Sequence, residues 1–143
     1  MEAFANPPLE RLRDLLLQTR SIAVVGLSDK ASRPSNRVAA YLQEAGYRIL
    51  PVNPAIPEAL GEKSWPSVAS LPGPVDVVCI FRRSEEVGPI VDEAIANGAR
   101  VVWMQDQVVN VEAAARAREA GLEVVMNDCM LRRHLALGLA RGA

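Results

Sequence analysis

Histidine, lysine and cysteine are scarce in this chain, and each scarcity excludes something. His134 is the only histidine, Lys30 and Lys63 the only lysines, and Cys79 and Cys129 the only cysteines among 143 residues. Two cysteines and one histidine do not make a closed zinc site without carboxylates. No apolar run approaches the roughly 20 residues of a membrane span. The start, MEAFANPPLERL, lacks a basic region followed by an apolar core, so no signal peptide is expected. The expected location is therefore the cytoplasm, where a disulfide is not expected to persist. Aromatic residues make up 4% and the formal net charge is -1, which argues against nucleic acid and against an anionic membrane as partners. No Ser-His-Asp set, paired-carboxylate site or metal cluster emerges. His134, flanked by Arg132 and Arg133 in RRHLAL, reads as a helix-surface histidine.

What is present is a 50% hydrophobic chain long enough for one well-packed domain. Pro7-Pro8 opens a helix, LERLRDLLLQTR, with Leu9, Leu12, Leu15 and Leu16 on one face as a cover for a sheet. Strands are expected at 21–27, 47–53, 75–81, 100–104 and 122–126, with a short edge strand near 62–65. Helices are expected at 35–45, at 66–71, from Ser84 as N-cap to Gly98, at 111–120 behind the Asn110 cap, and at 131–139. Prolines 51 and 54 keep the second strand from being central. Cys79, inside VDVVCIF, reads as a small core residue, whereas Cys129, after the fifth strand, lies at the carboxyl end of the sheet and near any cleft there.

Apolar strands alternating with amphipathic helices specify an α/β fold, a Rossmann-like doubly wound parallel sheet in three layers, α/β/α. We divide the single domain into an N-terminal cover helix (1–20), a core (21–129) and a C-terminal helix (130–143). The 75–81 strand is expected beside the first strand, with the 62–65 strand outside the second. The ligand crevice is then expected between Gly26 and Phe81, where strand order reverses. Apolar faces on the terminal helices would permit a homodimer or another protein partner.

The most informative stretch is SIAVVGLSDKASRPSNRV, residues 21–38. A buried strand runs into Gly26, a polar turn follows, and a helix begins where Ser35 and Asn36 are good N-cap types. A helix N-terminus offers unpaired N–H groups and a partial positive charge to an anion, above all a phosphate. Lys30, Arg33 and Arg37 add charge at the same place, and Arg82 and Arg83 follow the 75–81 strand at its carboxyl end. The dinucleotide fingerprint G-x-G-x-x-G is absent, and the second strand ends in Pro51-Val52-Asn53-Pro54 without the carboxylate that holds a ribose. A Walker loop is absent too. The alternative to a non-catalytic module is an NAD(P)-dependent oxidoreductase or other nucleotide-binding enzyme with an atypical loop.

GLSDKASRPS, GYRILPVNP, LGEKSWPSVASLP, VDVVCIFRRSEEV, the strand ending in WMQ and GLEVVMNDCM together resemble the stand-alone CoA-binding proteins. That family is similar to the N-terminal nucleotide domain of the succinyl-CoA synthetase α subunit. The resemblance covers about 21–129. It implies a domain that binds coenzyme A or an acyl-CoA. By position it implies that Gly26, Leu27, Ser28, Lys30, Arg33, Pro34, Ser35 and Asn36 line the pyrophosphate end. It likewise implies that Val52, Asn53 and Pro54 border the adenosine, that Phe81, Arg82 and Arg83 close the cleft, and that Gln105 stands at the next strand end. The 3′-phosphate of CoA asks for cations where an NAD site has an acid, and Asn53 in place of that acid fits a ligand with extra negative charge. One departure stands out: Asp106-Gln107-Val108-Val109 occupies the place of a usual glycine-containing turn, which puts an acid near the cleft.

Overall fold

The computed structural model describes residues 4–139. Along the chain lie α1 (Leu9–Gln18), β1 (Ser21–Val25), α2 (Pro34–Glu44), β2 (Arg48–Val52), β3 (Glu58–Ala59), β4 (Glu62–Lys63), β5 (Val77–Ile80), α3 (Val87–Asn97), β6 (Val101–Met104), α4 (Val111–Glu119), β7 (Glu123–Val125) and α5 (Met130–Ala136). Five strands form one parallel sheet in the order β2-β1-β5-β6-β7. The order reverses between β1 and β5, so the chain leaves a crevice above their carboxyl ends. The fold is a Rossmann-like α/β domain.

The strands are apolar throughout because both faces of the sheet are covered. Ile22, Val24, Val77, Cys79, Val101 and Trp103 point to the layer holding α1, α2 and α5. Ala23, Val25, Val78, Ile80, Val102 and Met104 point the other way, to α3 and α4. Each fully buried Val, Leu or Ile contributes roughly 1.5–3 kcal/mol against the exposed state. Trp103, almost fully buried, also donates its indole N–H to the Asp128 carbonyl at 2.8 Å, which ties the carboxyl end of β6 to the start of α5.

β2 is an edge strand, as its proline predicts: Pro51 pairs by register with Val24 but has no N–H to give. The expected edge strand near 62–65 is a small antiparallel hairpin, β3–β4, turned by Leu60 and Gly61, both at positive φ. Only Trp65 reaches the main sheet, bridging Val52 in parallel. The helix expected at 66–71 is a single 3-10 turn, Val68–Ser70. Leu9 is exposed rather than in the α1 stripe, which Leu12, Leu15 and Leu16 form. α3 starts at Val87 after a 3-10 turn, and Ser84 does not cap it: its hydroxyl donates to the Gln107 carbonyl and accepts from the Val109 N–H. Asn110 does cap α4, accepting from the Ala113 N–H at 2.9 Å. The C-terminal helix ends at Ala136, and the part of the expected 130–143 segment beyond Leu139 lies outside the described residues.

His134 corrects the sequence reading most clearly. It is not on a helix surface but 2% exposed, because α5 packs on α2 and turns the residue inward. The Tyr41 hydroxyl lies 2.7 Å from its Nδ1, and the rings of Tyr41 and Tyr47 meet it edge-on. Burial therefore lowers the His134 pKa from its usual 6.5. A folded-state pKa below the unfolded one means that the unfolded chain binds more protons as pH falls through 6.5, so stability is full above that value and declines below it. We predict a falling melting temperature from pH 7.5 to 5 in the wild type. In His134→Phe that slope should vanish, since no other histidine exists to produce it. A flat wild-type profile in calorimetry would contradict the buried neutral imidazole.

Candidate functional site

The crevice is built around the turn between β1 and α2. Gly26 opens it with φ +85°, a conformation that costs an L side chain about 1–2 kcal/mol. Space forbids a side chain as well. A Cβ there would sit 2.3 Å from the Phe81 carbonyl oxygen and 3.0 Å from Cδ of Arg82. The close approach follows from the ladder: the Gly26 N–H bonds the Val52 carbonyl at 2.9 Å, while the Phe81 N–H bonds Val25 at 2.8 Å. Gly26 is thus wedged between the ends of β2 and β5.

Ser28 organises the rest of the turn. Its N–H donates to the Ser35 hydroxyl at 3.0 Å, its own hydroxyl accepts from the Lys30 N–H at 3.1 Å, and its carbonyl accepts from the Asn36 side-chain amide at 2.9 Å. Ser35 and Asn36 are therefore not helix caps, as their residue types suggested. The N-cap is Arg33, which makes no side-chain cap bond, and Pro34 occupies the first helical position. Ser35 and Asn36 spend their side chains on Ser28 and leave their first-turn amides without an intrahelical acceptor. Just after β2, the Asn53 side chain donates to the Leu27 carbonyl at 3.0 Å, so the turn is fastened on that side too.

The turn borders a cavity of about 640 Å³, within the range of small-molecule sites. Among the sequence-predicted residues it is lined by Gly26, Ser28, Lys30, Arg33, Pro34, Ser35, Phe81 and Gln105. Its remaining wall is Val38 from α2, the segment from Asp106 to Val108 after β6, and Cys129 before α5. The other predicted residues do not line it. Leu27 is in the core, Asn36 is used by Ser28, and the Arg37 guanidinium holds the Ser32 carbonyl at 2.7 Å. Val52, Pro54 and Arg82 border a separate hollow of about 220 Å³ on the far side of Gly26, with Ser67, Val68 and Glu86. Asn53 borders neither. Arg82 and Arg83 are not a free fork: both face Glu86, at 3.3 and 3.8 Å. The Arg82 hydrogen bond is the main reason the Glu86 carboxyl lies below its usual pKa.

The acid after β6 does not leave an unbalanced charge at the cavity. Arg132 grips Asp106 through two hydrogen bonds of 2.7 and 2.8 Å, which hold the Asp106 pKa below its ordinary value and raise that of Arg132. The turn here needs a left-handed residue, and Gln107 takes that role at φ +67°, its N–H fixed by the Asn127 side chain at 2.7 Å. Sequence reasoning placed the Asp106 acid but not the Gln107–Val108 wall, since no glycine marks the bend. Asp128, nearly buried, receives Arg133 at 2.9 Å, Arg132 at 3.2 Å and the Cys129 N–H at 3.1 Å, and so positions Cys129 at the cavity. Among the described residues no cluster of three His, Cys, Asp or Glu is placed to hold a metal. In those residues no helix is long and apolar enough to cross a membrane.

A family model described as CoA binding domain matches residues 20–134. The Uncharacterized protein YneT of Bacillus subtilis is 42% identical over 125 residues, covering 87% of this chain and 93% of its own length. The solved structure of a hypothetical protein from Pyrococcus horikoshii superposes with a TM-score of 0.89 at 41% identity, covering 96% of this chain and 99% of that one. An ADP-forming acetate–CoA ligase II of Archaeoglobus fulgidus is 31% identical over 91 residues, which span 62% of this chain but 13% of the ligase.

Gly26→Ala tests the wedge. The positive φ and the 2.3 Å approach to a backbone oxygen should together lower the melting temperature by roughly 5 °C or more. An unchanged melting temperature would mean that Phe81 yields freely and that the crevice is not rigid.

Proposed function

The chain belongs to the CoA-binding domain family, and we propose that it binds coenzyme A or an acyl-CoA on the turn after β1, as a carrier, sensor or regulatory module and not as a catalyst. The observation that carries this reading is the pairing of Lys30 and Arg33 with the open start of α2 on one wall of a 640 Å³ cavity at the sheet's switch point. The ligand's pyrophosphate takes the first-turn amides and these two cations, and Arg37 adds to the local field. Its nucleotide lies toward the hollow bordered by Val52 and Pro54, where Arg82 supplies a cation for the 3′-phosphate once it leaves Glu86. The pantetheine arm lies along Phe81 and Val108 past Gln105.

No group in the cavity has the company a catalyst needs. The only histidine is buried away from it among tyrosines, and Asp106 is held by Arg132. The likeness to an acetate–CoA ligase supports the ligand class, but so small a share of that enzyme carries none of its chemistry to this chain. The free thiols of Cys79 and Cys129 fit a reducing setting such as the cytoplasm.

A thermal-shift panel tests the ligand. CoA should raise the melting temperature more than dephospho-CoA, NADP or NAD does, by the linkage of binding to folding. A shift with NADP equal to or larger than that with CoA would replace this reading with a nicotinamide-nucleotide enzyme. Arg33→Ala should weaken CoA about tenfold, the loss of one charge-assisted hydrogen bond, and leave the fold intact by circular dichroism. Unaltered CoA affinity would remove Arg33 from the site.

A further inference from the structure

Placing coenzyme A in the cavity leaves one reactive group of its wall without a part: the thiol of Cys129. It is free, partly exposed and borders the same cavity as Gly26, Lys30 and Arg33. Its backbone is fixed from outside the cavity, since Asp128 accepts its N–H and is itself held by Arg132 and Arg133. The other cysteine has none of these features. Cys79 is fully buried, and burial pushes its thiol up to about 12.

Gln105 gives an independent sign that this part of the cavity receives a ligand. It is 3% exposed, and its side-chain amide donates to the Cys79 sulfur at 3.0 Å. Its amide oxygen has no partner among the described residues. No fully buried side-chain oxygen or nitrogen in those residues is left unsatisfied, so this oxygen keeps some exposed surface, and Gln105 itself lines the cavity. A buried glutamine with a spare acceptor, lining a space walled by Val38, Phe81 and Val108, suits an arm that is apolar along its length and carries amide N–H groups. A pantetheine arm has that character, and it ends in sulfur.

We propose that Cys129 undergoes thiol–disulfide exchange with a disulfide of coenzyme A bound in this cavity, leaving the protein as a Cys129–CoA mixed disulfide. The inference rests on the CoA reading above. In the exchange the Cys129 thiolate attacks one sulfur of the ligand's disulfide. The Cys129–sulfur bond forms, the ligand's sulfur–sulfur bond breaks, and the departing thiolate takes up the proton that Cys129 released. The incoming disulfide is itself the oxidant, so no further electron acceptor enters. Anchoring of the nucleotide on the β1–α2 turn holds the sulfur near Cys129 at a high effective concentration. The site therefore distinguishes a CoA disulfide from other disulfides by the part of the molecule remote from the sulfur.

The test is intact-mass spectrometry of the 143-residue chain incubated with CoA disulfide or, separately, with glutathione disulfide at equal concentration. The expected product gains the mass of one CoA less two hydrogens, maps to the peptide holding Cys129, and is absent in Cys129→Ser. It should form at least about tenfold faster than the glutathione adduct, and adenosine 3′,5′-bisphosphate should slow it. Equal rates for the two disulfides, indifference to the competitor, or an adduct on Cys79 would overturn the proposal. A parallel thermal shift of the wild type with reduced CoA separates the two readings. Stabilisation by CoA without selective labelling sinks only the thiol exchange, whereas no stabilisation sinks the CoA site and the exchange with it.

Discussion

Everything at the crevice depends on how Ser28 is held. All three of its polar groups are engaged within the turn, by Ser35, Lys30 and Asn36. Because the side chains of the first helical turn are committed to this loop, they are not available to cap the helix. The exposed amides and the shape of the loop thus have one cause. A capped helix would have satisfied its own amides and left less for an anion. The Asn53 bond to Leu27 carries the same restraint across to β2, so the residue that replaces a ribose-binding acid has a structural task in the turn.

The sheet gives this loop its position, and local charge gives it a sign. β1 and β5 bring Gly26 and Phe81 together so closely that only glycine fits, and this approach divides the larger cavity from the smaller hollow beyond. The chain as a whole is nearly neutral, with 16 basic and 17 acidic residues, so long-range steering is weak. The local balance is set by ion pairs. Arg132 cancels Asp106, Glu86 occupies Arg82 and Arg83, and Lys30 and Arg33 are left beside the turn.

The features legible in the sequence were those written in short-range pattern. The apolar runs located the strands because a strand covered on both faces has no polar side to hide it. Gly26 after β1, Asn110 before α4 and Gly98 after α3 marked their bends and caps by residue type alone. What escaped was set by tertiary contacts. Ser35 and Asn36 have cap chemistry, but a partner eight or fewer positions back claimed it. His134 looked solvent-facing after two arginines, yet the packing of α5 on α2 buries it against Tyr41, 93 residues away in the chain. Gln107 gives no sign of a left-handed bend, because Asn127 supplies the restraint from the end of the next strand. The Arg82-Arg83 pair read as a phosphate fork until Glu86, three and four positions on, was seen to occupy it.

The central claim is that the loop after β1 is an anion receptor for a nucleotide's diphosphate. A crystal structure of the protein grown with coenzyme A tests it most directly. The account predicts pyrophosphate oxygens within hydrogen-bond distance of the first-turn amides of α2 and of the Lys30 or Arg33 side chains. CoA bound elsewhere, for example in the hollow between α1 and α5 that His134 borders, with Lys30 and Arg33 directed into bulk water, would contradict it.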